Sequence, residues 1–487
     1  MSSIATQSQL AVVGTNDIHL TKDPTFQLFR PNYKTYTPSA STFHLHRPDG
    51  DVSGLPGEKV SFSLRRTGDL LTKLFLRFRG PILRNIYPTT TQATVLGATT
   101  LASTTDYRYQ YLWGPLSYYA IDSVEMKLNS TTIDTLYGDW MYVWSEFLQP
   151  TADRAEMKTM ATKMSVPDKT EDSCRNEYFY LPIPFWFSKH PGLALPLVSL
   201  TNTEIQIIVS FARTTNRIPV LDSNVQADST LNTTALQSIE LMTEEKTLCQ
   251  AERDWFATTP QSYLITQHNQ REEYPFTLSN TSVNGVDSYA PNATTRVPSV
   301  ADQNTELSLE NFRLPIKQLW LGLGGYQCSP TAGSGPNSVS FLNDNRLVSG
   351  AFYTQSWIMN DSRELTEKAV MRERSNLPHY QDGKHVGLSS SMKKRFLGIA
   401  GDSQNTLVNQ PSLFSFSMGL DDVHPEGAIN FSRLKSPRMV LQGAKLAPFP
   451  RAFRGRFEKV DSNYVVLAEN YNVLDVKDGT AYVRYTD

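Results

Sequence analysis

The stretch YLPIPFWFSKHPGLALPLVSLTNTEIQIIV (180–209) carries the reading that decides the fold. At its end Ile205, Ile207 and Val209 alternate with Glu204, Gln206 and Ile208. Successive side chains of a strand point to opposite faces, so period-two alternation sets one face on a core and the other outside. A helix would have spaced its apolar residues by three and four instead.

The same pattern recurs outward in both directions. Phe62 and Leu64, then Leu74, Leu76 and Phe78, alternate with Ser63, Phe75, Arg77 and Arg79. Val124, Met126 and Leu128 alternate with Glu125 and Lys127, and Leu319, Leu321 and Leu323 form another set, as do Phe414, Phe416 and Met418. Pro, Gly, Asn, Asp and Ser separate these runs. About fifteen candidate strands of this kind are too many for one β-sandwich and suit two. The expected fold class is therefore all-β.

Helices are expected in few places. Residues 136–148 put Leu136, Trp140, Val143, Trp144 and Phe147 at helical spacing before Pro150. Met157, Met160, Ala161 and Met164 repeat at steps of three and four before Pro167, with Thr151 as an N-cap. That methionine stripe reads as core packing rather than a binding groove. Ala251–Thr258, ahead of Pro260, makes a short helix near the chain midpoint. The expected division is a segment 1–23, a sandwich over 24–250, a linker over 251–261 and a second sandwich over 262–487. Long polar loops at 86–110, 213–236, 277–305 and 328–345 interrupt the plan, and loops of that length are functional or mobile.

The 487 residues exceed one domain. Charged residues make up 19%, below the usual share of about 25%. Such a surface suits broad protein contacts. Net charge is −2, with the first 250 residues at −2 and the remainder neutral, so neither half shows the basic excess of a sequence-independent nucleic-acid binder. Lys393, Lys394 and Arg395 form the longest basic run, too short for a polybasic membrane anchor. Cys174, Cys249 and Cys328 are too widely spaced for a CxxC motif and read as free thiols of a reducing compartment. No apolar run reaches the roughly 18–20 residues of a membrane helix. Leu10–Val13 is too short for a signal peptide, and a cytosolic origin is expected.

Signals of catalysis and metal binding are weak. Gly322, Gly324 and Gly325 resemble a Gly-rich loop, but Gln327 stands where the third glycine of GxGxxG would be, and a strand ending in a Gly-rich turn is the plainer reading. No GxSxG elbow occurs. His44 and His46 would share one face of a strand, yet no further zinc ligand is identifiable. Cys249 would need a partnered base to act as a nucleophile, and reads as a small buried hydrophobe. No catalytic residue, cofactor or metal is assigned. Six Asn-x-Ser/Thr sites are candidate glycosylation acceptors: Asn129, Asn232, Asn280, Asn292, Asn360 and Asn430. They matter only if the chain meets the secretory machinery, and chance occurrence is the better default.

Several blocks carry a family resemblance. SQLAVVGTNDIHLTKDPTFQLFRPNYKTY (8–36) and RRTGDLLTKLFLRF (65–78) are followed by 129–147, with Ile133, Asp134, Tyr137, Asp139 and Trp140. YLPIPFWFSKHPGLALPLVSLTNTEIQI (180–207), ERDWFATTPQSYLITQ (252–267), HPEGAINFSRL (424–434) and ENYNVLDVKDGTAYVRY (469–485) complete the set. In this order they resemble the double jelly-roll major capsid proteins of nucleocytoplasmic large DNA viruses, such as chloroviruses, iridoviruses and marseilleviruses. LMTEEKTLCQ (241–250) departs from the family's Phe-Leu-Asp-Thr lead into the inter-domain helix.

The resemblance implies two consecutive eight-stranded antiparallel jelly rolls, with a few short helices and long loops. It implies a non-enzymatic structural protein of the virion, made in the host cytoplasm or a viral factory. Homotrimers of pseudo-hexagonal outline would tile an icosahedral shell. Their partners would be further trimers, minor capsid and penton proteins, and the inner membrane through minor proteins, with no direct nucleic acid. Segment 1–23 would face the interior, and the long loops would form outward towers. Two rival classes remain at this stage: a carbohydrate- or receptor-binding β-sandwich, and a cupin- or glycosidase-type enzyme.

Overall fold

The computed structural model describes residues 22–23, 36–55, 57–79, 85–87, 106–108, 118, 121–145, 178–211, 226–227, 237–279, 305–330, 354–359, 362–364, 412–417, 424–442 and 457–485. Compactness separates Met1–Ser39 from Ala40–Asp487, and the architecture below belongs to the longer unit.

The first half begins with β1 (Ser39–His46), β2 (Lys59–Ser63) and β3 (Leu70–Arg79). Short strands β4 (Asn85–Tyr87) and β5 (Asp106–Arg108) precede a hairpin of β6 (Ile121–Leu128) and β7 (Thr131–Tyr137). Helix α1 (Gly138–Val143), β8 (Tyr178–Pro182), helix α2 (Trp186–Lys189) and β9 (Leu195–Pro196) follow. Then come β10 (Ile205–Phe211), β11 (Gln226–Ala227) and β12 (Gln237–Leu248). One sheet has the order β1-β12-β3-β8, with β9 also on β3, and a second runs β2-β10-β6-β7. Alternation supplies the packing: Phe62, Leu74, Leu76, Phe78, Val124, Met126, Ile207 and Val209 are all buried in one apolar cluster. A small ribbon, β11-β4-β5, joins the polar stretches 86–110 and 213–236, so these are not strand-free.

After helix α3 (Gln250–Thr258) the plan repeats. Strands β13 (Gln261–Gln267), β14 (Arg271–Ser279), β15 (Thr305–Ser308), β16 (Pro315–Pro330) and β17 (Thr354–Met359) come first. They are followed by β18 (Ser362–Glu364), β19 (Ser412–Ser415), β20 (Ile429–Asn430), β21 (Arg438–Gln442), β22 (Phe457–Lys477) and β23 (Thr480–Val483). One sheet runs β13-β22-β16-β19, with β14 and β23 on β22 and β20 on β16; the other runs β15-β21-β17-β18. Every registered pair in both halves is antiparallel, as double-sheet jelly rolls require.

Three expectations change. The helix expected over 136–148 starts only at Gly138. Leu136 belongs to β7, where it pairs with Val124 and is fully buried. Gly138 makes the switch possible, because a Cβ there would lie 2.2 Å from the Ile121 carbonyl oxygen. The Gly322–Gly325 stretch is not a turn either: β16 runs through it, with a register shift between Gly324 and Gln327 of the kind a β-bulge makes. Third, Leu319 and Leu321 are buried as expected, but so is Trp320 between them. Over Ile316–Leu321 β16 is covered on both faces, and Trp320 packs against the first half of the chain. The helix expected at Ala251–Thr258 is present, beginning one residue earlier. Met157–Met164 and Thr151 lie outside the described residues.

Candidate functional site

The residues that gather into a chemically distinctive site lie where the two halves meet. Trp140, on α1, reaches across with its ring centroid 6.2 Å from that of Trp320 on β16, edge to face. The same indole lies 4.7 Å from the ring of His268, in the turn between β13 and β14. Around this aromatic contact is a set of buried charges. Asp134 of β7 is fully buried and His268 is 2% exposed. Asp134 Oδ1 accepts from the His268 backbone N–H at 2.6 Å, and Oδ2 lies 3.1 Å from Nδ1 of the ring.

On the other side of the imidazole is Glu469 of β22, 3.5 Å from Nε2. Lys189, the last residue of α2, donates to Glu469 Oε1 at 2.7 Å and to Thr266 Oγ1 at 2.9 Å. Gln318 Nε2 donates to the second Glu469 oxygen, and Gln267 Nε2 donates to the Ile133 carbonyl. Burying a charge is costly unless it is paired and hydrogen-bonded. Every charge here is answered from across the seam or from a neighbouring strand.

These environments set the protonation states. Burial alone would raise the Glu469 pKa, but Lys189, Lys317 and His268 together hold it well below the ordinary carboxylate range. Burial alone would push His268 toward its neutral form. Asp134, by charge and hydrogen bond, and Glu469 outweigh it, so the His268 pKa lies above the usual imidazole value. At the rim, Arg271 of β14 pairs with Asp139 of α1 at 3.0 Å and lies over the Tyr137 ring at 5.0 Å.

Two further ties use residues of the quoted motifs. Glu245 of β12 accepts from Thr67 Oγ1 at 2.8 Å and the Gly68 N–H, both in RRTGDLL, and from Thr243 Oγ1 at 2.9 Å. Burial raises its pKa, and these donors with the His46 ring bring it down to about 2. Asp69 accepts from the Leu248 N–H at 2.8 Å and pairs with Arg253 of α3 at 3.1 Å, so the start of β3, the end of β12 and α3 share one carboxylate. At the C-terminal end, the turn between β22 and β23 meets the first half: the Gly479 carbonyl accepts from the Asn202 N–H at 2.9 Å and Thr203 Oγ1 at 3.1 Å.

The residues singled out from the sequence fall elsewhere. His44 and His46 do share a face of β1. His46 is buried, 3.0 Å from Thr243 Oγ1 and 3.8 Å from Glu245, while His44 bonds Thr42. Among the described residues no cluster of His, Cys, Asp or Glu is arranged to hold a metal. Cys249 is a half-buried free thiol just before α3, not a fully buried hydrophobe. Asn129 Oδ1 accepts from the Glu204 N–H at 2.9 Å, and Asn430 Oδ1 from the Ser432 N–H at 3.0 Å. Asn232, Asn280, Asn292, Asn360 and Cys174 lie outside the described residues.

Sequence reasoning missed the seam. Asp134 and Glu469 stood in quoted motifs, but nothing in the chain order joins them. One signal was legible: Lys477-Asp478-Gly479-Thr480 is a two-residue Asp-Gly hairpin, whose central residues need positive φ, and Asp478 (φ 53°) and Gly479 (φ +81°) supply it.

Two antiparallel jelly rolls in tandem, joined through a buried polar seam, define a double jelly-roll protein. Comparison with known proteins agrees. A family profile described as "Major capsid protein N-terminus" matches residues 27–245. The major capsid protein of Paramecium bursaria Chlorella virus 1 is 26% identical over 501 aligned residues, covering 99% of each chain. That of Pyramimonas orientalis virus is 23% identical, covering 98% of each. Among solved structures, the quasi-atomic PBCV-1 virus capsid superposes with a TM-score of 0.64 at 19% identity, over 95% of this chain and 100% of that one. The Faustovirus major capsid protein gives 0.60 at 12% identity, over 98% and 97%. The fold is the double jelly roll of these capsid proteins. Over its whole length the chain is similar to major capsid proteins of large DNA viruses, and its place is the capsid shell of the virion.

Proposed function

We propose that three copies of this chain form a pseudo-hexagonal capsomer, and that capsomers pack edge to edge into an icosahedral shell. The observation that carries this is the repeated plan of two jelly rolls in a chain similar over its whole length to major capsid proteins. Three copies of two similar units give six corners, a shape that tiles a plane. Closed three-fold symmetry limits the capsomer, while lateral contacts extend the array.

In this reading the chain divides into an interior-facing segment 1–23, jelly rolls over 24–250 and 262–487, and a linker over 251–261. The sheets of the two halves share no strand among the described residues, which supports that division. Minor capsid proteins on the interior side and penton proteins are its further partners, the membrane is reached only through minor proteins, and the role is structural with no reaction to catalyse. The six sequons stay unmodified, and the Asn129 and Asn430 side chains work as turn braces. Intact-mass measurement of virion-derived protein tests this: a mass equal to the unmodified chain agrees, and added hexose residues contradict it. Negative-stain images of the purified protein should show six-cornered particles with a three-fold axis. Small globules that never assemble and bind glycans saturably would favour the rival carbohydrate-binding reading.

A further inference from the structure

We propose that His268 is a proton-gated lock between the two jelly rolls: as an imidazolium it bridges Asp134 of the first half to Glu469 of the second, and its deprotonation loosens their union. The geometry favours the charged form. Nδ1 faces Asp134 Oδ2 at 3.1 Å and must carry a proton to donate there. The other nitrogen then faces a second carboxylate, Glu469, 3.5 Å away. In the neutral ring Nε2 would direct a lone pair at that carboxylate; with a proton it is attracted to it. The 3.5 Å separation exceeds an ordinary hydrogen bond, so Nε2 is held by charge more than by a bond. The Trp140 face, 4.7 Å from the imidazole, adds an electron-rich surface that favours a cation.

The charges acting on the ring are Asp134 of β7, Lys189 of α2 and Glu469 of β22. Lys317 of β16 acts on Glu469, and Arg271 of β14 is paired with Asp139 of α1 at the rim. Lys189 opposes the proton on His268, but it is engaged by Glu469 and Thr266. The carboxylates prevail, and the His268 pKa is raised. Since folding raises it, the stabilisation is fully present below the ordinary value of 6.5 and is lost as pH climbs through the raised one. Glu469 acts in the opposite sense, because its lowered pKa makes its contribution vanish only in acid. The seam is therefore tightest in mildly acidic solution and loosens on the alkaline side.

The test uses the full chain. Histidine C2 hydrogen exchange, read by mass spectrometry across a pH series, should give His268 a midpoint above that of a histidine in the unfolded chain; a midpoint at or below it overturns the proposal. Amide exchange of peptides covering 130–140, 262–272 and 464–474 supplies a second readout. After correction for intrinsic rates, their protection should fall as pH rises from mildly acidic to alkaline, and H268Q should remove that pH dependence. Protection that does not change with pH in the wild-type chain contradicts the lock, as does an unchanged profile in H268Q. Should H268Q fail to fold, the wild-type titration and profile decide alone.

Discussion

Lys189 and Glu469 stand 280 positions apart, yet the lysine ammonium donates to the carboxylate at 2.7 Å, with both side chains almost wholly withdrawn from water. This contact ties the last turn of α2 in the first jelly roll to the central strand β22 of the second. Removing one member of a buried pair leaves the other charge unanswered, at a cost of about 3–5 kcal/mol. K189A and E469Q should each lower the unfolding free energy by about that much in urea titrations. A double-mutant cycle should show strong coupling between them.

Trp320 tests the apolar side of the same junction. Its indole is fully buried although it alternates with the buried Leu319 and Leu321. Replacement by alanine removes a large side chain facing Trp140 and should cost about 3–5 kcal/mol. A loss below about 1 kcal/mol, the scale of a surface change, would mean that the first half does not cover β16.

Gly479 should tolerate no side chain. Its φ of +81° disfavours any other residue, and a Cβ would lie 2.5 Å from Thr201 Oγ1 and 2.8 Å from the Asn202 amide nitrogen. G479A should cost about 1–3 kcal/mol, and thermal melts should show it. An alanine variant as stable as the parent would place the β22–β23 turn away from Thr201–Thr203.

Glu245 governs behaviour in acid. Its pKa of about 2 lies below the ordinary 4.5, so its contribution is complete above 4.5 and is lost as pH falls through about 2. E245Q should be less stable near neutrality and should lose less than the parent on acidification. Parallel acid-unfolding curves for the two would contradict this assignment.

How far the sequence foretold these features depended on the range of the physics. Leu74, Leu76 and Phe78 announced a strand because burial there follows a local two-residue period. Ile205, Ile207 and Val209 did the same. Leu136 misled because its helical spacing to Trp140 was real, but its strand pairing to Val124 is set by residues further back in the chain. Trp320 was missed for a related reason: alternation describes a strand with one wet face, and β16 has none over Ile316–Leu321. The seam was least legible. Asp134, Lys189 and Glu469 belong to residue types seldom buried, and only the fold brings them together. The resemblance did point to their neighbourhoods, since the blocks 129–147, 180–207 and 469–485 contain Asp134, Lys189 and Glu469.

A chain built to assemble as a trimer should show a trimer's mass in solution. Light scattering coupled to size-exclusion chromatography at micromolar concentration should give three copies of the 54.8 kDa chain, about 164 kDa, with no dilution-dependent drift. A stable species at the mass of the single chain would contradict it.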